Sequence, residues 1–285
     1  MRSPIVGPIL GMDHAVIAVR DLEAAGATFT RLGFTVTPAA YHAEWGTANR
    51  CLMFADDYVE LIAAVGEGEV AGRVAAFTRD REGLMAVAVG VADAAAAVGR
   101  LRSRGLDVEA PRPLSRLAGD LPARFEVAML PPEATPGMPA WLCRHLSPEA
   151  LRQPGWLDHA NGALGIASVT AVLADPPAAV AAWERVFGAA SATLTDEMVA
   201  VHTGHGTVFL THPQDLDMLH PAADEGELPA PPALVVLSLT VADTGHTARL
   251  LDAADIEYDR DVEGTLRIPA AAAHGVLIEL AASKG

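Results

Sequence analysis

The stretch "MDHAVIAVRD" at 12–21 places an imidazole, His14, at the head of a run of Ala, Val and Ile that otherwise reads as a buried strand. His14 is therefore either a satisfied core residue or a ligand that the strand exists to position. "YVELI" at 58–62 raises the same question for Glu60. A carboxylate buried without a partner is costly or stays protonated, so Glu60 needs a cation, a hydrogen-bond donor or solvent. A third group lies in "YHAEWGTANR" at 41–50, where Gly46 and Thr47 mark a tight turn. There His42 can act as a general acid or base, since its unperturbed pKa lies near neutrality. Asn49, on the same alternate face as Cys51 and Met53, can orient a substrate oxygen, or both polar residues can simply satisfy backbone groups of the turn. Cys143, beside Arg144 and two residues before His145, is either a thiol of lowered pKa or a small buried filler. Arg50, Arg124 and Arg144 can anchor an anion or can face solvent beside a carboxylate.

The elements that position these groups repeat. "VIAVRDLEAAGATFTRLGF" at 16–34 recurs loosely as "AVGVADAAAAVGRLRSRGL" at 88–106, "TAVLADPPAAVAAWERVFGA" at 170–189 and "SLTVADTGHTARLLDAADI" at 238–256. In each copy an apolar strand ends at an Asp (Asp21, Asp93, Asp175, Asp243), which suits a helix N-cap, and a helix-period stretch follows. Gly33, Gly105 and Gly188 fall at the helix C-terminal end, with Asp255 in the fourth copy. Further strand candidates follow the helices: "FTVTPA", "NRCLMFA" and "YVELIAA" in the first unit, "EYDRD", "TLRIPA" and "VLIELAA" in the fourth. Each unit thus reads βαβββ, and the chain reads as an α+β protein of four such modules in two domains, 8–150 and 151–285. The junction "LSPEALRQPGWLDHANGA" at 146–163 carries His159 and Asn161, which suit hydrogen bonds that brace it. "HPQDLDMLHPAADEGELPAPP" at 212–232 is a loop, and "HTGH" at 202–205 a surface hairpin turn.

Composition narrows the function classes. With 36 acidic against 20 basic residues and no basic cluster, the chain would repel a phosphate backbone, so nucleic acid is not an expected partner. No run of about 18 apolar residues suggests a membrane span, and the opening residues lack a signal-peptide pattern, so a cytoplasmic protein with two reduced cysteines is expected.

"MDHAVIAVRDLEAA", "LGF", "HAEWGTANR", "DDYVELI", "CRHLSPE" and "HANGA" together give a resemblance to the vicinal oxygen chelate superfamily, which groups glyoxalase I, bleomycin-resistance proteins and extradiol dioxygenases. Within it the sequence is most similar to bacterial glyoxalase-like domain proteins. The resemblance implies that paired modules form two half-barrel domains, each around a groove, and that metal ligands come from first and last strands. It therefore implies either a divalent metal (iron, manganese, zinc or nickel) on His14, Glu60 and His145 or a metal-free polar pocket built from the same groups, with catalytic roles for Glu60 and His42 and substrate contacts from Trp45, Asn49 and Cys143. No organic cofactor is indicated. The matching first-strand positions of the other modules are Ala86, Ser168 and Val236, none of them an imidazole, so the C-terminal pair is expected to be degenerate and ring-cleaving dioxygenase activity is disfavoured. The expected function is isomerase- or lyase-type chemistry on a small oxygenated metabolite in the N-terminal groove, in a protein that can form a homodimer. The alternative is a non-catalytic small-molecule or drug-binding protein of the resistance type.

Overall fold

In a computed structural model, residues 7–196, 198–221, 223 and 228–283 are described. The opening apolar run forms β1 (Ile9–Ala18), and the Asp21 carboxylate caps α1 (Leu22–Arg31) by accepting from the Glu23 and Ala24 N–H groups. β2 (Ala40–His42), β3 (Thr47–Met53) and β4 (Tyr58–Ala64) complete the first unit. After α2 (Glu69–Asp80) the second unit runs β5 (Gly83–Val91), α3 (Ala94–Ser103), β6 (Arg112–Ala118), β7 (Leu121–Met129) and β8 (Ala140–His145). Two short turns of helix, α4 (Pro148–Leu151) and α5 (Pro154–Leu157), lead to β9 (Ala163–Val172), α6 (Val180–Phe187), β10 (Ala192–Thr195), β11 (Met198–His202) and β12 (Thr207–Thr211). The last unit follows α7 (Leu216–Leu219) as β13 (Ala233–Val241), α8 (Thr244–Ala253), β14 (Asp259–Arg260), β15 (Leu266–Ile268) and β16 (Leu277–Ala282).

The strands form two eight-stranded sheets of the same plan, β2-β3-β4-β1-β5-β8-β7-β6 and β10-β11-β12-β9-β13-β16-β15-β14. In each, the two first strands pair antiparallel at the centre, and each first strand pairs parallel with the last strand of its own unit. That pairing brings first-strand and last-strand side chains onto one concave face. The opposite faces and the helices share one apolar core that crosses the junction and includes Phe29, Leu101, Trp183 and Leu251. No helix among the described residues is long and apolar enough to cross a membrane.

Local chemistry explains where elements differ from the sequence-based expectation. "FTVTPA" is not a strand: Thr37 Oγ1 takes the Cys51 N–H, a ladder position, and Pro38 has no N–H to offer. "EYDRD" shrinks to the two residues of β14, because Asp261 turns the chain by accepting from the Glu263 and Thr265 N–H groups. Helix α2 was not expected, although Val70, Val74 and Phe77 recur at helical spacing. Residues 222 and 224–227 of the 212–232 linker lie outside the described residues.

"HTGH" is an interface turn, not a surface one. The Met12 N–H donates to His205 O (2.8 Å) and to Thr203 Oγ1 (3.2 Å). Gly11 makes this approach possible, with φ of 122° and a position where a Cβ would lie 2.2 Å from His205 N. Gly11→Ala is expected to cost about 2 kcal/mol or more in urea unfolding, and wild-type stability in that variant would contradict the close contact.

Candidate active site

A bulge builds the first part of the site. The β1–β5 register slips between Met12 (opposite Val89) and His14 (opposite Ala88), leaving Asp13 as an extra residue. Asp13 and His14, which strict alternation would send to opposite faces, consequently meet. The buried Asp13 carboxylate accepts from His14 Nδ1 (2.6 Å) and His145 Nε2 (2.9 Å). Burial alone would raise its pKa, but the two imidazoles outweigh that and hold it well below the usual carboxylate range.

The parallel β1–β4 pairing sets His14 beside Tyr58 and puts Glu60 opposite Val16, two residues further along the same face. The His14 ring stacks on Tyr58 at 4.2 Å, and its Nε2 lies 3.6 Å from Glu60 Oε2, too far for a hydrogen bond. Glu60 Oε1 accepts from Asn49 Nδ2, whose own Oδ1 has no hydrogen-bond partner. His14 and Glu60 line a cavity of about 20 Å³ together with His42, Trp45, Arg116 and Trp141, which is room for about one water molecule.

His42 ends β2, with Nδ1 3.2 Å from Thr47 Oγ1. Burial, reinforced by the Arg116 charge and only partly opposed by Glu60, lowers its pKa to about 4. His42 is therefore a neutral imidazole at pH 7. Because the unfolded chain protonates near 6.5 and the folded one near 4, this residue is expected to withdraw stability as pH falls from 6.5 toward 4. Proton NMR of the ring checks it: the expected midpoint is near 4, and a midpoint near 6.5 would refute the burial argument. Cys143 lines the same cavity, and burial pushes its thiol well above its ordinary value, which argues against the thiolate role.

Arg116 is 8 % exposed, and its partners among the described residues are Cys51 Sγ (3.6 Å) and the Phe125 ring. No carboxylate of the described residues reaches it within ion-pair distance, so a buried guanidinium faces the cavity with donors unspent.

The structure thus gathers His14, His42, Trp45, Glu60 and Cys143 around one cavity, with Asn49 behind holding Glu60. It turns His145 onto Asp13 instead of Glu60. Among the described residues, the one trio of metal-ligand side chains with donor atoms within 4.8 Å of one another is Asp13, Cys143 and His145. Of the arginines considered from sequence, Arg50 pairs with Glu23 and Arg144 with Glu126. Sequence reasoning missed Asp13 and Arg116. Nothing in the local sequence announces the bulge at Asp13, but alternation in "LSRLA" already placed Arg116 on the face of Leu114 and Ala118.

The C-terminal concave face is filled from within. Glu279, opposite Ser238 on β13 as Glu60 is opposite Val16, accepts from Ser238 Oγ (2.8 Å) and Arg267 Nε (2.8 Å) and lies 2.9 Å from His220 Nδ1. His220 and the fully buried Leu216 come from the linker before β13 and pack into that face.

Next to the polar cavity lies a second one of about 520 Å³, largely apolar, between α2 and the sheet. Trp45 and Trp141 belong to the walls of both.

A family model described as a glyoxalase-like domain matches residues 12–187. No curated protein matches the chain. Solved structures share its fold at low identity. A hypothetical protein from Staphylococcus aureus superposes with TM-score 0.70 at 12% identity, covering 95% of this chain and 99% of that one. A mutant of 4-hydroxymandelate synthase from Streptomyces coelicolor gives TM-score 0.58 at 14%, covering 98% and 94%. A mutant of homoprotocatechuate 2,3-dioxygenase from Brevibacterium fuscum gives 0.58 at 16%, covering 99% and 74%.

Proposed function

Because the chain belongs to the glyoxalase-like domain family, we propose that its N-terminal groove binds a small oxygenated metabolite and moves a proton on it, chemistry of the isomerase or lyase type. The observation that carries this reading is the contrast between two carboxylates at one strand position. Glu279 is consumed by Ser238, Arg267 and His220, whereas Glu60 keeps Oε2 facing His14 inside a cavity. In this reading Glu60 takes the proton from a carbon next to a carbonyl, and neutral His42 is a second proton carrier. Arg116 donates to the oxygen on which negative charge develops. Asp13 fixes the His14 ring through Nδ1, so that Nε2 points at the reacting atoms.

The donors also fit a divalent metal, whether iron, manganese, zinc or nickel. His14 Nε2 and Glu60 Oε2 stand 3.6 Å apart without bonding each other, and a carboxylate on the far nitrogen of a ligand imidazole is the usual supporting arrangement. When bound, such an ion supplies Lewis-acid polarisation of the carbonyl. A role for His145 as third ligand requires it to exchange its hydrogen bond to Asp13 for the ion. Elemental analysis of protein purified without chelator tests this: near one equivalent is expected, lost in His14→Ala, and a metal-free wild type would remove the ion from the proposal. A cytoplasmic setting belongs to the same proposal, since Cys51 and Cys143 are both free thiols.

The second reading, a non-catalytic small-molecule or drug-binding protein, is favoured by the 520 Å³ cavity, which offers bulk apolar contact and no acid or base.

A further inference from the structure

The 520 Å³ cavity has a composition of its own. Its floor is the concave face of the sheet at Val16, Ile62 and Ala86, its roof the Val74 and Phe77 side of α2, and its end wall the indoles of Trp45 and Trp141. Its volume falls within the roughly 300–1,000 Å³ common for small-molecule sites. Two arginines line it, and they differ. Arg73 is committed to Glu69 at 2.7 Å, four residues back on the same helix. Arg81, just past the end of α2, lies over the Phe77 ring at 4.4 Å and against Gly83, where a Cβ would come within 2.8 Å of Nη1. Among the described residues it has no carboxylate or carbonyl partner for its side chain, although it is partly buried and its pKa is lowered by that burial. A partly buried guanidinium with unspent donors at the edge of an apolar chamber suits an anion attached to an apolar body.

We propose that this chamber binds an amphipathic organic anion, an unbranched carboxylate whose chain lies between α2 and the sheet and whose head group pairs with Arg81. This site is distinct from the proton-transfer centre and does not depend on it. Its shared indole wall gives a direct optical signal, because a chain reaching Trp45 and Trp141 alters their emission.

The test uses the full chain with decanoate, decyl phosphate, decanol and decyltrimethylammonium as probes, followed by calorimetry and tryptophan emission. Saturable binding of decanoate near one equivalent is expected, with decanol and the cation weaker by about tenfold or more, the measure of one charge-assisted pair. Arg81→Gln is expected to bring decanoate down to the level of decanol, Met85→Trp to abolish both by filling the chamber, and Arg116→Gln to leave decanoate unchanged. Decyl phosphate binding at least as tightly as decanoate would reassign the head group and overturn the carboxylate. Equal binding of decanoate and decanol, no saturable binding, full decanoate binding by a folded Arg81→Gln or Met85→Trp, or loss in Arg116→Gln would each overturn the site.

Discussion

Glu60→Gln is expected to silence the N-terminal groove while sparing the fold, and Glu279→Gln to do the reverse. Glutamine at 60 keeps an oxygen for Asn49 Nδ2, so stability should change by about 1 kcal/mol or less. The proposed base is lost, and proton transfer should fall by about 10²- to 10⁴-fold. At 279 the carboxylate is structural. Arg267, 6 % exposed, divides its donors between Glu279 and Asp261, and removing one anion leaves a buried guanidinium half-paired beside His220. A cost of about 2–4 kcal/mol in urea unfolding is expected. The pH dependence follows with a definite sign. Burial would raise the Glu279 carboxyl, but His220, Ser238 and Arg267 hold it below its ordinary 4.5. The stability it contributes is present above pH 4.5 and lost as pH falls through the folded pKa, so Glu279→Gln should flatten this acid limb. Equal stability losses at the two positions would contradict the division of labour between the sheets.

Asp57 is the second position where a single change should have a large effect. It lies immediately before β4, 1 % exposed, yet its carboxylate's donors come from the other half of the chain: the Ile166 N–H of β9 at 3.1 Å and His205 Nε2 of the β11–β12 turn at 2.5 Å. Burial is the largest influence on its carboxyl and raises it from the ordinary value, although His205 and the Ile166 N–H both oppose this. Asp57→Ala strands the Ile166 N–H and should cost about 2–4 kcal/mol in urea unfolding. Asp57→Asn keeps an acceptor for that N–H and should cost less. A change under about 0.5 kcal/mol for Asp57→Ala would mean that the two halves do not depend on this contact.

The parts of this molecule that were legible in its sequence are those governed by local rules. Asp21, Asp93 and Asp243 cap helices because a carboxylate after an apolar strand has free N–H groups within reach, and Asp255, φ 53°, takes the left-handed position that glycine holds elsewhere. Repetition of that strand, cap and helix was enough to expose the βαβββ plan. His14 and Glu60 lie in continuous apolar runs, and it was the family resemblance, not the local pattern, that set them together. What was not legible depends on non-local pairing. Asp13 enters the site through a bulge set by β5, His145 is drawn away from Glu60 by that same Asp13, and His220 reaches Glu279 from a linker with no periodic pattern. Arg116 shares a face of β6 with Leu114 and Ala118, a buried place for a residue that on a strand ordinarily faces water.

The proposed proton transfer on a small carbonyl compound in the His14–Glu60 groove is read directly by hydrogen exchange. The protein is incubated in D₂O with a panel of 2-oxo and 2-hydroxy carbonyl compounds, with a divalent metal supplied, and the α-hydrogen signals are followed by proton NMR. At least one compound is expected to lose its α-hydrogen with the wild type and with folded Glu279→Gln, but not with Glu60→Gln. Absence of exchange on every compound by the wild type, or exchange that survives Glu60→Gln, would contradict the proposal.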